Sequence, residues 1–313
     1  MTVFAERLAA ATQYERFDPW YFGIPPLDAV VKGVRPGFIN YICARPHVGK
    51  TLLAVAGIRN NPEVPTLLIS ADDDPEIVVR KMMQYDGVID DGWKATQRQM
   101  ADYIATNYPN LDIVDGVSWG PVAFNGQISV LDAISDFGER YGRPPELVVY
   151  DYLGIDGTDY ASMMTVVGWM KDLTKHLPMP VLTIAQSNRQ GTRTERGPDG
   201  QNQRRGFRME DLNFGGEQAA GLMIGLSEGW YAIDGRMTRA IEVDVVKNKA
   251  VFDGSGLTKS TEPIVLCHSR GRLTDRSTAQ YEALQAAQWQ QEELTRGVVH
   301  EARGDLLRTA GAL

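Results

Sequence analysis

Two patterns alternate along this chain: short runs that are apolar throughout, and longer stretches in which apolar residues recur every three or four positions. The runs predict strands over residues 38–43, 66–70, 111–115, 146–151 and 181–186. The periodic stretches predict helices over residues 50–59, 75–85, 93–107, 126–141 and 162–176. Strands that are apolar on both faces and separated by helices imply an α/β fold, a mostly parallel central sheet flanked by helices. Past residue 220 the pattern changes to strand-like segments at 222–227, 240–246 and 263–267, with glycine turns at Asp234-Gly235 and at 253–256. These predict added, partly antiparallel strands at the C-terminal side of the sheet. Residues 3–16 read as a short amphipathic helix ended by Asp18-Pro19, and residues 277–297 as a Gln-rich helix without an apolar face. The expected division is a docking helix in residues 1–20, a core in 21–275 and a helical tail in 276–313.

The first strand–helix junction is Ala44-Arg45-Pro46-His47-Val48-Gly49-Lys50-Thr51. A loop of this kind holds phosphates on its backbone N–H groups and on the positive end of the helix dipole. Lys50 is placed to reach the β- and γ-phosphates of a nucleoside triphosphate, and the Thr51 hydroxyl to ligate Mg²⁺. Ala44 stands where the general pattern has glycine, which is harmless if its φ is negative.

Three further strand ends carry polar residues. Leu147-Val148-Val149-Tyr150-Asp151 ends in a carboxylate suited to the Mg²⁺ shell. Asp72-Asp73-Asp74 precedes Pro75, so a later member caps the helix, and Asp72, nearest the strand, is free to act on a water at the γ-phosphate. Asp73 is the alternative catalytic carboxylate. Gln186 ends its strand with an amide that can sense whether a γ-phosphate is present.

Charge narrows the partners. The 313 residues carry a net charge of −8, so a nucleic-acid contact has to come from a local patch. Residues 189–208 supply one, with Arg189, Arg193, Arg196, Arg204, Arg205 and Arg208 against Glu195 and Asp199. Its glycines predict a mobile loop, and Phe207 is placed to stack on a base. The alternative is a solvated or protein-binding loop. Cys43 and Cys267 lie in apolar runs and read as buried thiols, and the four histidines show no metal-ligand spacing. With neither a leader pattern nor an apolar stretch of ~18 residues, the expected compartment is the cytoplasm and no membrane contact is expected.

In order and spacing, ARPHVGKT, LLISADDD, LVVYDYLGID, VLTIAQSNRQ, MEDLNFGGEQAAGLMIGL and VVKNKAVFDG resemble the RecA-like core of the DnaB-type replicative helicases, phage ring helicases included. The approach GIPPLDAVVKGVRPGFINYICARP is similar too, and Ala-Arg-Pro is a usual start of that family's phosphate loop. The resemblance covers about residues 21–275. It implies a RecA-like P-loop NTPase that uses ATP and Mg²⁺, assembles as a ring, probably hexameric in that family's manner, and moves on single-stranded DNA. It places the catalytic carboxylate on Asp72, one methylene shorter than the family's glutamate, the second acidic motif on Asp151 and the DNA-linked sensor on Gln186. The finger offered to a neighbouring subunit's nucleotide falls near Lys249, with Lys247 beside it, where the family has arginine. The RecA recombinases place paired lysines at their interfaces, so a recombinase filament is a rival. A nucleotide-gated scaffold or loader with weak hydrolysis is another. A helicase loader or primase is a candidate partner, although only about twenty residues precede the core, so coupling through a primase-binding N-terminal domain is not expected.

Overall fold

The computed structural model describes residues 15–71, 73–89, 94–119, 128–153, 160–187, 194–196, 202–204, 207–208, 219–233, 236–249, 264–269 and 272–275. Its helices are α1 (Pro25–Val31), α2 (Lys50–Asn60), α3 (Pro75–Tyr85), α4 (Gln97–Asn107), α5 (Val130–Tyr141) and α6 (Tyr160–Thr174). Its strands are β1 (Ile39–Ala44), β2 (Thr66–Ser70), β3 (Leu111–Val114), β4 (Val117–Ser118), β5 (Ile128–Ser129), β6 (Leu147–Leu153), β7 (Val181–Gln186), β8 (Thr194–Arg196), β9 (Asn202–Arg204), β10 (Ala220–Ile233), β11 (Arg236–Asn248), β12 (Ile264–Ser269) and β13 (Arg272–Asp275).

One nine-stranded sheet has the order β13-β12-β11-β10-β1-β7-β6-β2-β3. From β10 to β3 the strands are parallel, and β11 to β13 add on antiparallel. The fold class is the expected one, with one change. Residues 222–227 belong to β10, which pairs with β1 in parallel and extends the central sheet. Its run Leu222, Met223, Ile224 is buried on both faces, as an interior parallel strand requires.

Side chains alternate across the sheet into two cores. Ile42 and Ala44 of β1 face Leu53, Ile58, Val78, Met82 and Met100, from α2, α3 and α4. Ile39, Tyr41 and Cys43 face Leu131, Phe137, Val167 and Met170, from α5 and α6. Both cysteines are free and buried, as expected.

Local chemistry sets the helix starts. Thr96 and Gln99 form a reciprocal capping box, as do Ser129 and Asp132. α4 and α5 therefore begin at Gln97 and Val130, later than the apolar periodicity predicts. Glu15 and Arg16 are not helical, and the rest of the helix predicted over residues 3–16 lies outside the described residues, as does the tail after 275. From Phe17 onward the chain joins the core: Trp20 packs on Phe22 at 4.8 Å between ring centroids and bridges to Val34. A Cβ on Gly57 would lie 2.4 Å from the Trp20 ring, so that glycine lets α2 approach. Among the described residues no helix is long and apolar enough to cross a membrane.

Candidate nucleotide-binding site

Parallel pairing brings the carboxyl ends of β1, β7, β6 and β2 to one edge. Ala44 sits opposite Gln186, and Ser70 opposite Asp151. From there the chain turns through Arg45 to Gly49 into α2, with φ at 65° for His47 and 112° for Gly49. Positive φ strains a histidine and suits glycine. A Cβ on Gly49 would also lie 2.7 Å from Ile241 Cδ1. Ala44 is absent from the positive-φ positions, so alanine fits there without strain. No side chain caps the start of α2, which leaves its first N–H groups facing the cleft.

The cleft encloses about 520 Å³ and is lined by residues 46–52 with Ser70, Asp73, Lys81, Tyr85, Asp151 and Gln186. Its far end is closed by Glu228, Arg239, Ala240, Ile241, Leu266 and Leu273. The Thr51 hydroxyl donates to Asp151 Oδ2 at 2.5 Å. Burial pushes the Asp151 carboxyl above its ordinary range, against the Thr51 hydrogen bond and the nearby Lys50 and Lys81 charges. Burial likewise pulls the Lys50 ammonium down, against the pull of Asp151, and its Nζ donates to the Arg45 carbonyl at 3.2 Å. A hydroxyl and a desolvated carboxylate in contact suit a hard cation shared with a polyphosphate. Mg²⁺ in such sites takes one or two protein oxygens and completes its shell with phosphate and water. Among the described residues no group of three or more His, Cys, Asp or Glu forms a protein cage.

The expected phosphate-loop residues, Asp151 and Gln186 thus share one cleft. Asp72 lies outside the described residues. Its neighbour Asp73 lines the cleft and pairs with Lys81. Asp74 takes the N-cap position of α3, where its carbonyl accepts from Ile77 while its side chain makes no cap bond.

Lys247 and Lys249 lie elsewhere. Asn248 pairs with Leu222, which pairs with Asn40, and Lys249 N donates to the Gly221 carbonyl at 2.7 Å. That is the opposite end of the sheet from the phosphate loop of the same chain. In the arginine-rich segment, Arg189, Arg193 and Arg205 are outside the described residues, Arg196 and Arg204 lie in β8 and β9, and Arg208 is exposed. The segment is not structureless, because β8 and β9 pair as an antiparallel ladder from Thr194–Arg204 to Arg196–Asn202. Nor is Phe207 a base-stacking platform. It is buried against Gly225, where a Cβ would lie 2.1 Å from the ring, and its N–H donates to Asp244 at 3.0 Å.

Sequence reasoning missed Lys81, Tyr85, Glu228 and Arg239. Lys81 and Tyr85 are spaced i,i+4 on α3, a pattern visible in the sequence, but nothing there says which way the helix faces. Glu228 and Arg239 reach the cleft only because β10 and β11 run past the end of β1. They pair with each other, and Arg239 also donates to the His47 carbonyl at 3.4 Å.

Among solved structures, the chain is similar to a DnaB-like replicative helicase studied with its interactions with primase, at a TM-score of 0.58 and 18% identity. The match covers 86% of this chain and 64% of that one. It is similar also to the ATPase domain of a phage-type helicase, at a TM-score of 0.58 and 18% identity over 87% of this chain and 95% of that one. This is the fold of a DnaB-like helicase ATPase domain. No family model and no curated protein matches the sequence. In a DnaB-like ATPase domain the cleft just described stands at the carboxyl ends of the parallel strands, where open α/β sheets take their ligands.

Proposed function

We propose that this chain is a DnaB-like ring ATPase that couples hydrolysis of Mg²⁺-ATP to movement along single-stranded DNA and to unwinding of duplex ahead of it. The observation that carries the reading is the contact between Thr51 and Asp151 beside Lys50, at the mouth of an uncapped helix. Backbone N–H groups from Val48 to Thr51 would hold the phosphates, and Lys50 would bridge to the γ-phosphate. Mg²⁺, held through Thr51 and Asp151, would neutralise charge on the phosphate oxygens. Asp72, or Asp73 beside it, would orient the attacking water in line with the leaving oxygen. Gln186, opposite Ala44 at the end of β7, would carry the state of the nucleotide into the arginine segment that follows it. Lys249 would act on the nucleotide of a neighbouring subunit, with Lys247 beside it, which fits their distance from the cleft of their own chain. Arg189, Arg193, Arg196, Arg204, Arg205 and Arg208 would hold the DNA backbone. With ~3 phosphate contacts per subunit, the logarithmic salt slope per subunit should be about −2.

The test is ATP hydrolysis with and without single-stranded DNA, with particle shape recorded by negative-stain microscopy. Closed rings and DNA-stimulated hydrolysis are expected. Lys50→Ala should lower the rate about a hundredfold or more. Replacing Arg204 and Arg205 should remove the stimulation while nucleotide binding persists. Open filaments on DNA would favour a recombinase, and slow hydrolysis indifferent to DNA would favour a nucleotide-gated scaffold or loader.

A further inference from the structure

The cleft is chemically polar along its length. Leu52, Ile241, Leu266 and Leu273 line one end, on the side of β11 to β13. Ser70, Asp73, Lys81 and Asp151 line the other, at the ends of β2 and β6 and on α3. A nucleotide held at its middle by the phosphate loop has one way to lie that matches both ends. Its base meets the apolar wall and its terminal phosphate meets the charged one.

At the charged end stands a second lysine. Helical side chains lean toward the N-terminus, so Lys81, in the second turn of α3, reaches back to the carboxylate of Asp73 just before that helix. Both side chains keep water contact, with relative exposures of 42% and 34%. An ion pair so exposed contributes little to stability, about 0–1 kcal/mol, and is readily exchanged. The Lys81 charge is felt by Asp151 and by Tyr85, one turn further along the same face.

We propose that Lys81 is a γ-phosphate ligand supplied by the same chain, with Asp73 as the counter-ion it leaves when a triphosphate enters. This rests on the ATPase reading above and goes beyond it: the exchange distinguishes ATP from ADP and frees the Asp73 carboxylate only when a γ-phosphate is present. The diphosphate ends short of Lys81 and leaves the Lys81–Asp73 pair intact.

The experiment compares binding of ADP and of a non-hydrolysable ATP analogue, both with Mg²⁺, to wild type, Lys81→Met, Lys81→Arg, Asp73→Asn and Lys50→Ala. Thermal melts confirm that each variant is folded. Lys81→Met should weaken the triphosphate about ten- to a hundredfold, the loss expected for one charge-assisted hydrogen bond, and leave ADP within about twofold. Lys81→Arg should recover most of the difference because the charge is kept. Asp73→Asn should tighten the triphosphate severalfold by removing its competitor. Equal weakening of both nucleotides by Lys81→Met, or no change in either, would overturn the proposal, and binding that still depended on Lys50 would leave the ATPase reading standing. Wild type that binds neither nucleotide, or a Lys50→Ala protein that binds both as well as wild type, would sink the two together.

Discussion

At the scale of single residues, Asp151 is the most strained charge in the site. Its carboxyl is raised by burial, so in the nucleotide-free protein the ionised form is disfavoured relative to the unfolded chain. The sign follows from linkage. At low pH the group is protonated in both states and takes nothing from stability. As the pH rises through the ordinary carboxylate range the unfolded chain ionises first, so stability falls, and the loss is complete above the raised folded value. Asp151→Asn keeps an acceptor for the Thr51 hydroxyl and removes the charge. We expect its nucleotide-free melting temperature to exceed that of wild type by about 2 °C or more at neutral pH. The gap should close on acidification, while ATP hydrolysis drops about 10²- to 10³-fold. Melts across pH, set beside hydrolysis rates, check both halves. A variant less stable than wild type at neutral pH would show that the Thr51 hydrogen bond outweighs the desolvation.

Among the elements, α2, α3 and α4 are joined by one buried carboxylate. Asp86, at the C-cap of α3, pairs with Arg59 from the last turn of α2. It also accepts from the Tyr103 hydroxyl of α4 at 2.5 Å and from the Tyr108 hydroxyl at 3.1 Å. Both phenols are pushed well up, by burial first. Removing the acceptor strands three donors, so Asp86→Ala should destabilise the protein by about 3 kcal/mol in urea unfolding. A loss below about 1 kcal/mol would mean that water replaces the carboxylate.

The same elements show what could be read beforehand. β1, β2, β6 and β7 are legible to within a residue or two at each end because both faces are buried and the apolar runs end where the cleft begins. Thr96 with Gln99 and Ser129 with Asp132 are caps written in the sequence, yet apolar periodicity continues upstream of each and hides the true start. The phosphate loop, Asp151 and Gln186 are legible because each closes its own strand. Lys81 and Arg239 are not, because the order of strands and the facing of α3 bring them to the cleft. Phe207 misleads for a similar reason. Its neighbours are arginine and glycine, and the space that buries it is opened by Gly225, eighteen residues later.

For the whole molecule, the sheet separates two ends. The phosphate loop is at one, and Lys249, exposed, is at the other, about 15 Å away along β11 by strand rise. A lysine so placed serves a nucleotide only across a subunit boundary. Mixing Lys50→Ala protein with Lys249→Ala protein should therefore restore hydrolysis that neither shows alone, since some boundaries then combine an intact loop with an intact lysine. Mixtures as inactive as their parts would count against action in trans.

The burial of Phe207 bears on length as well. Gln186 lies opposite Ala44 on one side of β1, and Gly225, which receives Phe207, lies opposite Cys43 on the other. The arginine segment is thus anchored on both sides of the strand that leads into the phosphate loop, at points about 10 Å apart by strand spacing. Residues 188–206 leave from one anchor and return to the other. Chain stretched out and back over that count extends about 30 Å at most. Whatever these arginines grip has to pass within that radius of the end of β1.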